Sequence, residues 1–167
     1  RSDHRTLPRP IASSHPATRY AALDGGKRLR PMLVLAASEL GERVQAACEA
    51  ALAAVECIHV YSLVHDDMPE MDNDTLRRGK PTCHVAYGAA TALLAGDALQ
   101  TLAFDVLSRP TALPAARQLQ MLNVLARASG SAGFFPCSAS PEWFGSRQSH
   151  QNFDRQKPPN LLPNRLE

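Results

Sequence analysis

The stretch HDDMPEMDND, residues 65–74, places five carboxylates within ten positions: Asp66, Asp67, Glu70, Asp72 and Asp74. It follows AALAAVECIHVYSLV, which is apolar nearly all round and reads as a helix buried on most sides. Asp66 and Asp67 then fall in the last turn of that helix, where the macrodipole is negative and a carboxylate is disfavoured. Either a positive partner sits there, or the cluster is a solvated acidic turn in which Asp72 or Asp74 caps the next segment. A divalent cation is one such partner, because Asp66, Asp67 and Asp72 offer hard oxygen ligands on both sides of the bend that Pro69 imposes. Magnesium in particular keeps several waters and binds through one or two carboxylates together with substrate phosphates.

Basic residues flank this cluster. GGKRLRP, residues 25–31, sets Lys27, Arg28 and Arg30 after a glycine pair that permits close backbone approach, and before a helix that Pro31 can start. LRRGKPT, residues 76–82, adds Arg77 and Arg78 soon after the carboxylates. Lysine supplies a point charge and arginine a planar fork for phosphate, so the pattern suits a polyanion held partly through metal and partly by direct contact. Taken singly, either basic stretch also reads as a solvated surface turn. His59 lies seven residues before Asp66, within about 20° of it around a helix, with Ser62 on nearly the same face. Its imidazole is either a satisfied core group or a donor to a phosphate oxygen.

Elements that could position these groups are helical. From Ala17 to about Gly133 the chain is rich in alanine and leucine with few β-branched residues, which predicts an all-α fold with no strand or hairpin signal. Helices are expected from about Pro31 to Leu40, Val44 to Asp67, Ala89 to Leu107 and Pro114 to Ser129, punctuated by Gly41, Pro69, Gly88 and Gly130. Residues 1–16, with three prolines, read as an irregular arm. Residues 134–167 hold four of the five phenylalanines, the only tryptophan and five of the thirteen prolines without helical periodicity. That segment reads as a non-native tail, or as a docked loop with aromatic anchors.

The 167 residues are 44% hydrophobic, enough for a globular core, and the formal net charge of +2 is too small for a nucleic-acid footprint. Cys48, Cys57, Cys83 and Cys137 lack the paired spacing of a zinc site, and a reducing cytoplasmic setting fits them. No apolar run is expected to reach the roughly 18 residues of a membrane span. The chain begins at Arg1 rather than methionine, as expected of a piece of a longer or processed protein.

GGKRLRP, AVECIHVYSLVHDDMPEMDNDTLRRGKPTCH and AGDALQTLAFDVL together resemble the N-terminal half of the trans-isoprenyl diphosphate synthases, most closely the bacterial farnesyl type, over about Ala17 to Gly133. The resemblance implies an isoprenoid synthase-type helical fold around a deep cavity, usually in a homodimer. It also implies head-to-tail condensation of dimethylallyl or geranyl diphosphate with isopentenyl diphosphate. Asp66, Asp67 and Asp72 match the first aspartate-rich motif, which holds Mg2+ against the allylic diphosphate. Lys27, Arg30, His59 and Arg78 match positions that bind isopentenyl diphosphate, and Arg77 a contact to the allylic diphosphate. Tyr61 lies five residues before Asp66, about 7.5 Å deeper along the axis. An aromatic residue there resembles the floor that stops growth at farnesyl; it could also be simply a core aromatic. The family's second aspartate-rich motif has no counterpart here, where Asp97, Asp105 and Asp154 are isolated in the sequence. The resemblance therefore implies a truncated, inactive chain. A non-catalytic helical partner subunit is the alternative from another class. A class I terpene cyclase-like fragment fits less well, since one diphosphate would not need two basic stretches.

Overall fold

The computed structural model describes residues 15–23, 25–41, 44–131 and 133. The expected arm over 1–16 lies outside them except for its last two residues, and the aromatic tail over 134–167 lies outside them entirely. Six helices and one short ribbon are found among the described residues: α1 (Pro16–Leu23), α2 (Leu29–Ser38), α3 (Gln45–Asp66), β1 (Leu76–Arg77), β2 (Lys80–Pro81), α4 (Cys83–Tyr87), α5 (Ala89–Ser108) and α6 (Ala115–Ser129).

The four expected helices form, with ends moved by one or two residues. α2 starts at Leu29, two residues before Pro31, which still sits in the first turn where a missing N–H costs no helical bond. Two further helices were not expected from the pattern. α1 opens on Pro16, assigned to the arm, and the His15 ring accepts the Ala17 N–H through Nδ1 at 3.2 Å. α4 is a single turn and a half after Thr82, too short for periodicity to register.

Small residues build the core. α5 buries Ala92, Ala95, Gly96, Leu99, Ala103, Val106 and Leu107 at three- and four-residue spacing, and packs most extensively on α3, which buries Ala50, Ala53, Ala54, Cys57, Val60 and Val64. Alanine on both faces lets the two backbones approach closely, and Leu99 is the largest of the fully buried side chains among the described residues. α2 packs on α3, α4 on α5, and α1 mainly on α5. By length and composition, α3 and α5 are each apolar enough to cross a membrane, which corrects the expectation that no run approaches that length. The two are partners in this core.

The expectation of no hairpin is also corrected. Leu76 pairs with Pro81 and Arg77 with Lys80, antiparallel, around Arg78 and Gly79, whose φ values of 55° and 77° are the positive pair that a two-residue type I′ turn requires. Strands of two residues carry no alternation, so only Gly79 could have signalled the turn. Tyr20 fastens the hairpin to α1 by donating to the Pro81 carbonyl at 2.7 Å.

The chain divides into two compact units at Ala126/Arg127, within α6. In the first, Met121, Leu122 and Leu125 pack against the core. In the second, the described residues are the end of α6 and a turn closed by the Gly133 N–H on the Gly130 carbonyl at 3.0 Å.

Candidate functional site

The central helix α3 ends where the carboxylates begin. Asp67 caps it, donating its N–H to the Leu63 carbonyl at 3.1 Å, and the chain then bends over Pro69. Backbone bonds from Met71 and Asn73 to the Met68 carbonyl, and from Asp72 to the Asp66 carbonyl at 2.8 Å, close the bend. The six-residue separation in sequence thus becomes direct backbone contact between Asp66 and Asp72. Asp66 is half-buried and Asp72 exposed, whereas Asp67 is buried.

The positive partner of Asp67 is Arg77. Its Nε donates to Oδ1 at 3.0 Å and to Oδ2 at 2.8 Å, and Nη2 donates to Oδ1 as well. Those bonds, above all, hold the Arg77 guanidinium pKa above its ordinary value, with Asp74 and Asp66 adding to the effect. Among the described residues no three carboxylate, imidazole or thiol groups converge to cage a metal ion by themselves. The donors fit magnesium in another way: Asp66 and Asp72 are two hard carboxylates joined at one bend, the number magnesium takes when phosphate oxygens complete its shell. Asp67 fits only where Arg77 releases it.

The basic residues gather around the loop between α1 and α2. Arg78 lays its guanidinium on the glycine pair, with Nη1 donating to the Gly25 carbonyl at 3.0 Å. A Cβ on Gly26 would come within 2.6 Å of that Nη1, and Gly26 has φ +106°, so only glycine fits. The close approach anticipated at this pair is therefore made by a guanidinium. Arg30 Nη1 lies 3.1 Å from His59 Nε2, and since arginine only donates, Nε2 accepts and the imidazole proton is on Nδ1. Burial, followed by the charges of Arg30, Arg78 and Arg77, pushes the His59 pKa down, against the opposing pull of Glu56. Lys27 is exposed on the same loop. Ser62 turns away, donating to the carbonyl of His59 on its own helix at 2.9 Å.

Tyr61 is half-buried and meets the His65 ring edge-on, centroids 4.8 Å apart. His65 in turn crosses to α5, with Nε2 at 3.1 Å from the Leu93 carbonyl and 3.7 Å from Asp97. It can do so because residue 96 is glycine: a Cβ there would lie 2.2 Å from His65 Nε2. Asp97, isolated in the sequence, is brought to the acidic end of α3, and with Asp66 it adds to the burial that raises the Tyr61 hydroxyl pKa. Asp105 pairs with Arg109, just past the end of its own helix, at 2.6 Å. Beside Asp67 and Arg77 lies a cavity of about 50 Å³, lined by Tyr20, Val60, Leu63, Thr82 and Cys83 among others. That is room for a water or two, not for a prenyl chain.

Spacing alone does not reveal two pairs that support these groups. Thr82, buried, donates through Oγ1 to the Asp74 carbonyl at 2.7 Å and anchors the end of the acidic loop. Glu56, also buried, accepts from Arg28 Nη1. The one signal was a lone carboxylate within an apolar helical run.

Residues 13–132 match the polyprenyl synthetase family. The chain belongs to that family. Farnesyl diphosphate synthase of Escherichia coli (strain K12) is 56% identical over 117 residues, covering 68% of this chain and 39% of that enzyme. Geranylgeranyl pyrophosphate synthase 7 of Arabidopsis thaliana, chloroplastic, is 50% identical over 119 residues, covering 71% of this chain and 34% of its own length. The crystal structure of geranyltransferase from Legionella pneumophila superposes with a TM-score of 0.72 at 44% identity, covering 77% of this chain and 48% of that one. This polyprenyl synthetase chain spans less than half the length of these relatives, and shares their all-α fold over the matched part.

Proposed function

We propose that the chain carries the diphosphate-holding face of a prenyltransferase that condenses an allylic diphosphate with isopentenyl diphosphate to give farnesyl diphosphate. The observation that carries this reading is the β1–β2 hairpin. Its two consecutive guanidiniums reach in different directions, Arg77 to the acidic helix end at Asp67 and Arg78 to the backbone of the glycine pair. An acidic and a basic subsite are thereby set side by side, as two diphosphates require when one is bridged by a cation and the other is held directly. The name of the Escherichia coli relative supports the farnesyl product, and that of the Arabidopsis thaliana relative is a geranylgeranyl pyrophosphate synthase.

Asp66 and Asp72 would hold magnesium, with Asp67 joining when Arg77 turns to the allylic diphosphate. Magnesium, when bound, supplies Lewis-acid charge for the departing diphosphate. Lys27, Arg30, His59 and Arg78 bind the diphosphate of isopentenyl diphosphate, His59 donating through Nδ1. Tyr61, one turn and a half below Asp66, marks the depth at which the growing chain stops. A homodimer in the cytoplasm is the assembly and setting this reading carries with it. The described residues hold one aspartate-rich cluster, and turnover by the 167-residue chain alone is expected to be slight.

The test is calorimetric titration of the chain with inorganic diphosphate, with and without magnesium, in the parent and in Asp66→Ala. Tighter binding with magnesium, lost in the variant, is the expected result. Equal affinity with and without the metal, or an unaffected variant, overturns the assignment of the acidic subsite.

A further inference from the structure

Arg28 is the residue of the glycine-rich loop that the diphosphate reading does not use. Its backbone is left-handed, φ 50° and ψ 32°, a conformation that costs a non-glycine residue energy and that must be held from outside. The carbonyl of Arg28 accepts the Met32 N–H at 3.0 Å, so this strained residue is also where α2 begins. Its side chain turns inward, away from the loop's outer face. Nη2 donates to the Ala22 carbonyl at 2.8 Å, on the last turn of α1, and Nη1 donates to Glu56 Oε1.

Glu56 is 6% exposed, in the middle of α3 and three residues before His59. Its second oxygen, Oε2, is buried with no partner among the described residues. A buried carboxylate with half its capacity unmet is costly, and the Arg28 contact offsets part of that cost. One guanidinium thus ties together the end of α1, the start of α2 and the centre of α3, with Lys27 and Arg30 on either side of it in the chain.

We propose that Glu56 is a positioning residue for diphosphate: it clamps Arg28 in the left-handed conformation and thereby presents Lys27 and Arg30, with His59, as one preformed anion-binding wall. The inference rests on the proposed diphosphate site. Two opposing effects decide its sign. By charge alone, removing the carboxylate paired with Arg28, in a loop that also carries Lys27 and Arg30, would draw a diphosphate in more tightly. By preorganisation, removing it frees Arg28, leaves Lys27, Arg28, Arg30 and Arg78 to repel one another, and makes the ligand order the loop on arrival. The clamp predicts that the second effect wins.

The measurement is magnesium-free titration of inorganic diphosphate into the full 167-residue chain, well below its unfolding temperature, in the parent, Glu56→Gln, Glu56→Ala and Arg28→Ala. Affinity is expected to fall roughly tenfold in Glu56→Ala, the size of one charge-assisted hydrogen bond, with Glu56→Gln intermediate. Arg28→Ala should match Glu56→Ala, and a double variant carrying both Arg28→Ala and Glu56→Ala should lose no more than either, because both act through one contact. Amide exchange at Met32, whose bond depends on the Arg28 carbonyl, should quicken in each variant, and it reads the clamp without ligand. If Glu56→Ala does not fold, Glu56→Gln decides. Tighter or unchanged binding in Glu56→Gln, or losses that add in the double variant, overturns the positioning role. A parent chain that binds no diphosphate overturns the proposed site together with it.

Discussion

Arg77 grips both carboxylate oxygens of Asp67 across the bend that closes α3, so a carboxylate expected as a metal ligand is also the anchor of the hairpin. Asp67 is buried whereas Arg77 is one-third exposed, which makes the pair asymmetric. Removing the guanidinium strands a buried charge; removing the carboxylate leaves a cation that can reach water. Arg77→Ala should therefore destabilise the chain by about 2 to 3 kcal/mol, with a smaller effect for Asp67→Asn. Arg77→Lys should recover only part of the loss, since an ammonium cannot donate along the same fork. Chemical denaturation of the three variants checks the order.

His59 titrates below its ordinary range, for burial and the neighbouring arginines outweigh Glu56. A group whose folded pKa is depressed binds fewer protons folded than unfolded, so stability rises with pH through that window. The contribution is full above the unfolded value near 6.5 and is lost as pH falls toward the folded pKa. His59→Gln should flatten that slope in denaturation curves as pH falls below about 6.5. A bound diphosphate works in the opposite direction, raising the His59 pKa, so binding near pH 6 should take up protons that the variant does not. Calorimetry in buffers of differing ionisation enthalpy measures the difference.

Burial pushes the Cys57 thiol up to about 12, with Glu56 adding to it, and the Cys83 thiol up to about 11. Thiolate is the reactive form, so both should resist alkylation in the native state at neutral pH and react only on unfolding. Their raised folded pKa values mean that whatever stability they contribute is present below the unfolded value and is lost as pH climbs above it. Iodoacetamide labelling, mapped residue by residue with and without denaturant, checks this. Labelling of Cys57 in the folded chain would show that α3 opens.

Tyr61 meets the His65 ring edge-on, and His65 depends on the missing Cβ of Gly96. Gly96→Ala should displace the imidazole and destabilise the chain by about 1 kcal/mol, because the ring can swing toward solvent more easily than a packed core can move. Product length reads the same contact. In a chimera carrying residues 17–133 in place of the matched segment of the Escherichia coli enzyme, Tyr61→Ala should lengthen the prenyl products. An unchanged distribution in an active chimera would place the floor elsewhere.

The helical class and the long helices are written locally. Alanine and leucine at three- and four-residue spacing make α3 and α5 legible from residue types alone, because a helix closes its own hydrogen bonds and needs no distant partner to set its period. The acidic and basic stretches were legible for a similar reason: charge is carried by each residue wherever the chain puts it. Packing decided the rest. That Arg77 faces Asp67 and Arg78 faces Gly25 depends on a hairpin of two-residue strands, held by Tyr20 from 61 positions earlier in the chain and too short to leave an alternating pattern. That Asp97 joins the acidic end, and that Glu56 rather than solvent receives Arg28, depends on which faces of α3, α5 and the α1–α2 loop meet. Such pairings are long-range, and their energy exists only once the backbones have been brought together, so no local window of sequence contains them.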